Sequence, residues 1–147
     1  MQLSVPHQQQ TSSQLCWAAC ASMVCRFYGH VVTQTQFSTL FNANWGHGLN
    51  AMAAPGETAN LIKALTTGAV TMDVIDHALT WQECKQYLTL RRLVIVIRQN
   101  HQFVISGFED RDPRGNILWI SDPGIHNAAR TLYATVAQDW VASLVRT

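Results

Sequence analysis

Charge is what this chain has least of. Its 147 residues include 10 basic and 9 acidic side chains, 13% of the total, for a net charge of +1. Ordinary domains carry roughly 25%. No basic tract supplies the electrostatic footprint of a protein that binds a nucleic-acid backbone. Long apolar runs are missing too. The aliphatic run of residues 93–97, for one, falls far short of the ~18 residues of a membrane span. The opening Met1-Gln2-Leu3-Ser4-Val5-Pro6 has neither the charged nor the apolar region of a Sec-type signal peptide, so none is expected. Disorder is excluded from the other side: 48% of the residues are hydrophobic and they are spread along the chain.

What is present fits one domain, residues 1–147, able to bury roughly two-thirds of the surface its unfolded chain exposes. The first 15 residues, with Gln8-Gln9-Gln10 and Thr11-Ser12-Ser13, read as a loop or flexible terminus. Residues 16–29 are apolar nearly all round and predict a central buried helix, with Ser13 as N-cap and Gly29 as stop. Residues 33–42 predict a second helix with Phe37, Leu40 and Phe41 on one side. Residues 44–56 predict a long surface loop, and residues 57–65 a third helix. Thr80-Trp81-Gln82-Glu83 fits a capping box opening a helix through Leu90.

The period then changes. The β-branched run of residues 93–97 predicts a strand buried on both faces. Residues 102–108 and 116–121 predict further strands, joined by a charged Pro/Gly hairpin loop. Residues 133–145 read equally as a last helix or as a strand plus helix. Helices first and sheet second make an α+β domain.

The chemistry centres on Cys16. In the first turn of its helix a thiolate is favoured by free backbone N–H groups and the positive dipole end. Cys20 and Cys25, deeper in the same helix, read as buried structural thiols. Bridges among the three are geometrically poor, and only Cys84 could reach them from elsewhere. A thiolate nucleophile needs a base, and the base an orienting acceptor. His101 lies at the mouth of a predicted strand, and Asp122 ends another before Pro123-Gly124. His7, His30, His47, His77 and His126 read as surface or core residues without a role. Gln10, six residues before Cys16, could donate to a developing oxyanion together with the Cys16 N–H. On chemistry alone Gln8 and Gln9 serve as well.

Gln10-x5-Cys16-Trp17-Ala18-Ala19, then Asn100-His101-x-Phe103-Val104-x-x-Gly107, then Ile120-x-Asp122-Pro123 resembles the papain-like cysteine peptidases. The resemblance selects Gln10 by its spacing of six. It implies a papain-like fold, a catalytic Cys16–His101–Asp122 set and a Gln10 oxyanion hole. The Asp-Pro acid is similar to the compact bacterial branch of effector proteases, bacteriocin leader peptidases and toxin tips. Leader peptidases usually show Cys-Gly-Pro-Ala where this chain has Cys16-Trp17-Ala18-Ala19, which favours the effector-like group. That group implies a secreted protein delivered to the cytoplasm of a target cell, a protein substrate there, and an immunity protein covering the site. The sparse charge of the surface suits a chain that meets such a partner.

No cofactor and no metal is implied. Cys16-x3-Cys20-x4-Cys25 is not a zinc-knuckle spacing, and no His-Glu-x-x-His follows. Two function classes compete: amide-bond chemistry, with peptide hydrolysis ahead of deamidation or acyl transfer, and a non-catalytic papain-fold binding module. Trp17 is expected to shape the site, while Trp81 and Trp140 are expected to pack.

Overall fold

The computed structural model describes residues 1–125 and 127–147. Ten consecutive buried residues, from Cys16 to Cys25, make up most of the first helix, α1 (Cys16–Phe27). A helix apolar on every side needs cover on every side. It comes from α2 (Gln34–Trp45) and α3 (Pro55–Leu65), and from a sheet that meets α1 through its strand β3. The described strands form one antiparallel sheet in the order β1-β6-β2-β3-β4-β5. They are β1 (Met72–Ile75), β2 (Val94–Arg98), β3 (Gln102–Glu109), β4 (Ile117–Ser121), β5 (Ala129–Leu132) and β6 (Trp140–Arg146). Two more helices, α4 (Trp81–Thr89) and α5 (Tyr133–Ala137), complete the α+β domain.

Local chemistry sets most element ends. At the end of α1, Gly29 with φ +89° lets its N–H reach the Arg26 carbonyl and lets His30 N–H reach that of Cys25. This is a Schellman closure. Capping boxes start α2 at Thr33 with Gln36 and α4 at Thr80 with Glu83. Pro55 sits in the first turn of α3, where its missing N–H costs nothing, so this helix begins two residues earlier than the sequence suggests. In turn α2 runs on to Trp45, three residues past Asn42, because Phe41 and Trp45 stack 5.3 Å apart.

Three sequence expectations need correction. Ser13 does not cap α1: the cap position is Leu15, without a side-chain bond, while the Ser13 hydroxyl accepts from Asn50 Nδ2 at 3.2 Å. Burial of Leu15 outweighs the capping preference. Residues 133–145 hold a short helix followed by a strand, and β1 comes between α3 and α4, so the helical and sheet parts interleave. The first residues are not a flexible terminus. β2 pairs with β3 only as far as Ile105, which leaves that side of the later β3 residues open. The N-terminal segment fills it, with Leu3 N–H on the Ser106 carbonyl at 2.6 Å and Phe108 N–H on that of Met1 at 2.9 Å. This close approach is why position 107 is glycine: a Cβ there would lie 2.4 Å from the Met1 carbonyl oxygen.

Candidate active site

Cys16 is the first residue of α1, on the helix that the core holds most firmly. Without a side-chain cap, the first-turn N–H groups point past the helix end unclaimed, and the positive dipole end lies there too. The thiol is only 1% exposed. Its Sγ lies 3.9 Å from Met52 Sδ, and Met52 is 37% exposed, so the thioether forms the outer cover of the thiol.

The sheet brings the base and the acid to the same end. β2 and β3 are joined by a tight turn in which Arg98 N–H bonds the His101 carbonyl at 2.9 Å, so His101 stands at the rim just before β3. The register Val104↔Ser121 places the beginning of β3 beside the end of β4, and Asp122 follows at once. His101 Nε2 meets Asp122 Oδ1 at 2.5 Å, and the same oxygen accepts the Gly124 N–H at 2.8 Å. The Cys16 sulfur is near enough to the same imidazole to help raise it. With Nε2 engaged by Asp122, Nδ1 is the nitrogen left for the thiol.

These contacts set the ionisation of the pair. The Asp122 carboxylate first and the Cys16 sulfur second raise His101 from 6.5 to about 9, against the opposing effect of burial. Burial alone would push Asp122 up. The His101 and Gly124 hydrogen bonds outweigh it and hold the carboxyl below its ordinary value. An imidazole kept protonated beside a thiol, and oriented by a carboxylate, is equipped for proton transfer at that sulfur.

The glutamines separate clearly. Gln8 donates to Ser22 Oγ at 2.9 Å inside the fold, and Gln9 is exposed. Gln10 Nε2 lies beside the turn ahead of α1, donating to the carbonyls of Ser12 at 3.0 Å and Ser13 at 3.1 Å. Its Oε1 is buried without a partner. Its backbone N–H donates to the Pro123 carbonyl at 2.8 Å, so the Gln10 segment and the Asp122 turn are tied together.

Sequence reasoning missed the loop of residues 46–54, which it treats as a surface connection. Asn50 accepts the Gln14 N–H at 2.9 Å, and Trp17 Nε1 donates to the Ala51 carbonyl at 2.8 Å. Both bonds press Met52 into place over Cys16. Residues 52–55 and 97–99, with His101 and Gln102, line a cleft of about 210 Å³. Trp17 therefore shapes the site from behind, wedged edge-on against Phe37 and Phe41. Only an interval rich in Gly, Asn and Ala marks this loop in the sequence.

The remaining residues stay apart from the site or support it indirectly. His7 bonds the Ile125 carbonyl, His77 the Ala78 carbonyl, His47 packs on Phe41 and His30 is half-buried. His126 lies outside the described residues. All four cysteines are free and buried; burial pushes the Cys20 thiol up and raises Cys25 and Cys84 to about 12. Trp140 is buried and Trp81 packs on Phe108 and Tyr133. Among the described residues no trio of His, Cys, Asp or Glu is arranged to hold a metal ion, and no helix is long and apolar enough to cross a membrane.

A thiol opening a central helix, set against an antiparallel sheet that presents an imidazole and a carboxylate, is the architecture of the papain-like cysteine peptidases. The chain belongs to the Peptidase_C39 like family, whose model matches residues 2–143. Three solved structures share the fold. A putative C39-like peptidase from Bacillus anthracis has a TM-score of 0.71 at 13% identity, covering 98% of this chain and 94% of that one. The peptidase domain of Streptococcus ComA, a bi-functional ABC transporter of a quorum-sensing pathway, has a TM-score of 0.70 at 17% identity, with 97% and 96% covered. A double glycine motif protease from an AMS/PCAT transporter, in complex with its leader peptide, has a TM-score of 0.66 at 14% identity, with 99% and 93% covered. No curated protein matches the chain by sequence. The likeness fits the leader-peptidase side of the compact bacterial branch, whereas the effector-like grouping rests on the Cys16-Trp17 pair.

Proposed function

We propose that the chain is a cysteine endopeptidase in which Cys16, His101 and Asp122 act as a triad. The Cys16 thiolate attacks the scissile carbonyl carbon while the protonated His101 holds the proton for the leaving amine. Expulsion of the amine leaves a thioester on Cys16. Neutral His101 then takes a proton from water, and hydroxide addition releases the acid and the thiol. Asp122 keeps the ring oriented. The oxyanion receives the Cys16 N–H and the Gln10 amide, which would exchange a loop carbonyl for it. The observation that carries this reading is the 2.5 Å contact of His101 with Asp122, with the Cys16 sulfur near enough to help raise the same ring.

The burial of Cys16 under Met52 supports an extended peptide with small side chains next to the scissile bond. The double-glycine motif named for one neighbour meets that requirement. The test is cleavage of a pooled peptide library read by mass spectrometry. Cuts after glycine or other small residues, absent with Cys16→Ala, are the expected result. Equal cutting after bulky residues would remove the substrate reading, and activity retained by Cys16→Ala would remove the mechanism. A mass change for deamidation without chain cleavage would redirect the amide chemistry.

The Cys16-Trp17 pair supports a second reading of the setting: a secreted bacterial effector or toxin that cuts a protein in the cytoplasm of a target cell. An immunity protein would then cover the Cys16–His101 cleft. Growth arrest on expression of the wild type but not of Cys16→Ala in a recipient cell is the expected outcome. Arrest by neither protein would count against it.

A further inference from the structure

The side-chain amide of Gln34 is spent entirely on the segment that carries Gln10. Gln34 opens α2 and is 6% exposed. Its Oε1 accepts the Thr11 N–H at 3.1 Å and the Thr11 hydroxyl at 3.4 Å. Its Nε2 donates to Gln8 Oε1 at 3.2 Å and to the Gln9 carbonyl at 3.0 Å. Gln8 reaches on to Ser22 Oγ at 2.9 Å, and Ser22, fully buried on α1, donates to the Val32 carbonyl at 2.5 Å. Gln10 makes none of these bonds. Its neighbours Gln8, Gln9 and Thr11 make all of those to Gln34.

Such an arrangement does something specific. Oxyanion donors act only within a narrow distance of the developing charge, and a misplacement of about 1 Å costs as much as about a hundredfold in rate. Three successive glutamines in an irregular segment have no helix or strand ladder to fix their register. Gln34 supplies one from outside, binding the residues before and after Gln10, while Ser22 refers the same segment to the helix of Cys16. The bond from Gln10 N–H to the Pro123 carbonyl ties it to the Asp122 turn as well.

We infer that Gln34 is a positioning residue for the oxyanion hole, holding the Gln10 amide in register with Cys16 through Gln8, Gln9 and Thr11. The inference rests on the triad reading above and deepens it. Gln34 touches neither the substrate nor the reacting atoms.

Two variants test it on the full chain, using the peptide cut best in the library assay. Gln34→Met keeps the side-chain length and removes all four bonds; Gln34→Glu keeps the acceptor and loses both donations. A core change in α3, Ile62→Val, controls for lost stability, and all assays run well below the lowest Tm. Gln34→Met should lower kcat about tenfold with KM held within about twofold, and Gln34→Glu, which sets an acceptor oxygen against the Gln8 and Gln9 oxygens, should lose at least as much. Affinity for a peptide aldehyde should drop by a similar factor. Its hemithioacetal forms when sulfur adds to the aldehyde carbon and the thiol proton passes to the new oxygen, which needs the oxyanion donors. Alkylation of Cys16 by iodoacetamide creates no oxyanion and should be unchanged.

An equal kcat loss in Ile62→Val would overturn the inference, as would unaltered aldehyde affinity in both Gln34 variants. If Gln34→Met fails to fold, Gln34→Glu decides by the same criteria. Failure of the triad reading looks different, because Cys16→Ala would then remain active, and the inference would fall with it.

Discussion

One carboxylate oxygen, Oδ1 of Asp122, holds His101 Nε2 at 2.5 Å while also accepting the Gly124 N–H at 2.8 Å. The acid therefore receives its own orientation from the turn that follows it. Backbone N–H, carboxylate and imidazole are thus linked in series, and the Cys16 sulfur is near enough to help raise the imidazole.

That line predicts a pH profile. His101 is raised to about 9, so kcat/KM should fall on the alkaline side as pH rises through about 9, when the proton for the leaving amine is lost. In Asp122→Ala the alkaline limb should move down towards the ordinary histidine value of about 6.5. The folded-state value is raised, so the pair's contribution to stability is fully present below about 6.5 and disappears as pH climbs through about 9. Asp122 is lowered, so its contribution is present above its unfolded value and lost as pH falls through the lower folded one. Rate profiles and Tm against pH for the wild type and Asp122→Ala check both.

Alkylation should discriminate among the thiols. Cys25 and Cys84 are raised to about 12 by burial and Cys20 is raised as well, so none is a thiolate near neutrality. Cys16 has the helix end and the protonated imidazole beside it. Iodoacetamide at neutral pH should label Cys16 alone and fast, as read by peptide mass mapping, and His101→Ala should slow it by at least about tenfold. Comparable labelling of several cysteines would favour the non-catalytic module.

Two glycines should separate site from scaffold. A Cβ at Gly124 would lie 3.2 Å from Asp122 Oδ1 and 3.5 Å from His101 Cε1, beside the proposed acid–base pair. Gly124→Ala should therefore reduce kcat several-fold with little change in Tm. Gly107→Ala meets backbone at 2.4 Å and must expel the N-terminal segment, costing about 1–3 kcal/mol. Thermal melts and hydrogen exchange of the Leu3 and Phe108 amides would register the second effect.

Trp17→Phe tests the wall of the cleft. It keeps the aromatic contacts with Phe37 and Phe41 in large part but removes the 2.8 Å bond to the Ala51 carbonyl. The loss should be about 1–3 kcal/mol in stability. With Met52 no longer pressed over Cys16, KM should rise more than kcat falls. Steady-state kinetics with the library peptide measures the split.

Much of this was readable in advance, element by element. The all-apolar run from Cys16 demanded a central helix, the β-branched run at residues 94–97 a strand covered on both faces, and Thr80 with Glu83 a capped helix start. Other elements carried no such signal. β1 and β5 are short edge strands of four residues each, partly exposed, and their order comes from the partners they find. The N-terminal segment looks free because its polar residues have no period. It is ordered by the open side of β3.

The sequence alone determined which residue types could do the chemistry and their order along the chain: Gln10, Cys16, His101 and Asp122, together with an α+β layout. Only the tertiary structure decided how the Gln10 amide is held, which ring nitrogen meets the acid, and that the loop of residues 46–54 lies against Cys16. The reason is physical. Propensity, period and capping act over a few residues and can be read locally. Distances between residues 10 and 123, 17 and 51, or 16 and 52 are set by strand register and helix burial, which are properties of the whole packed chain.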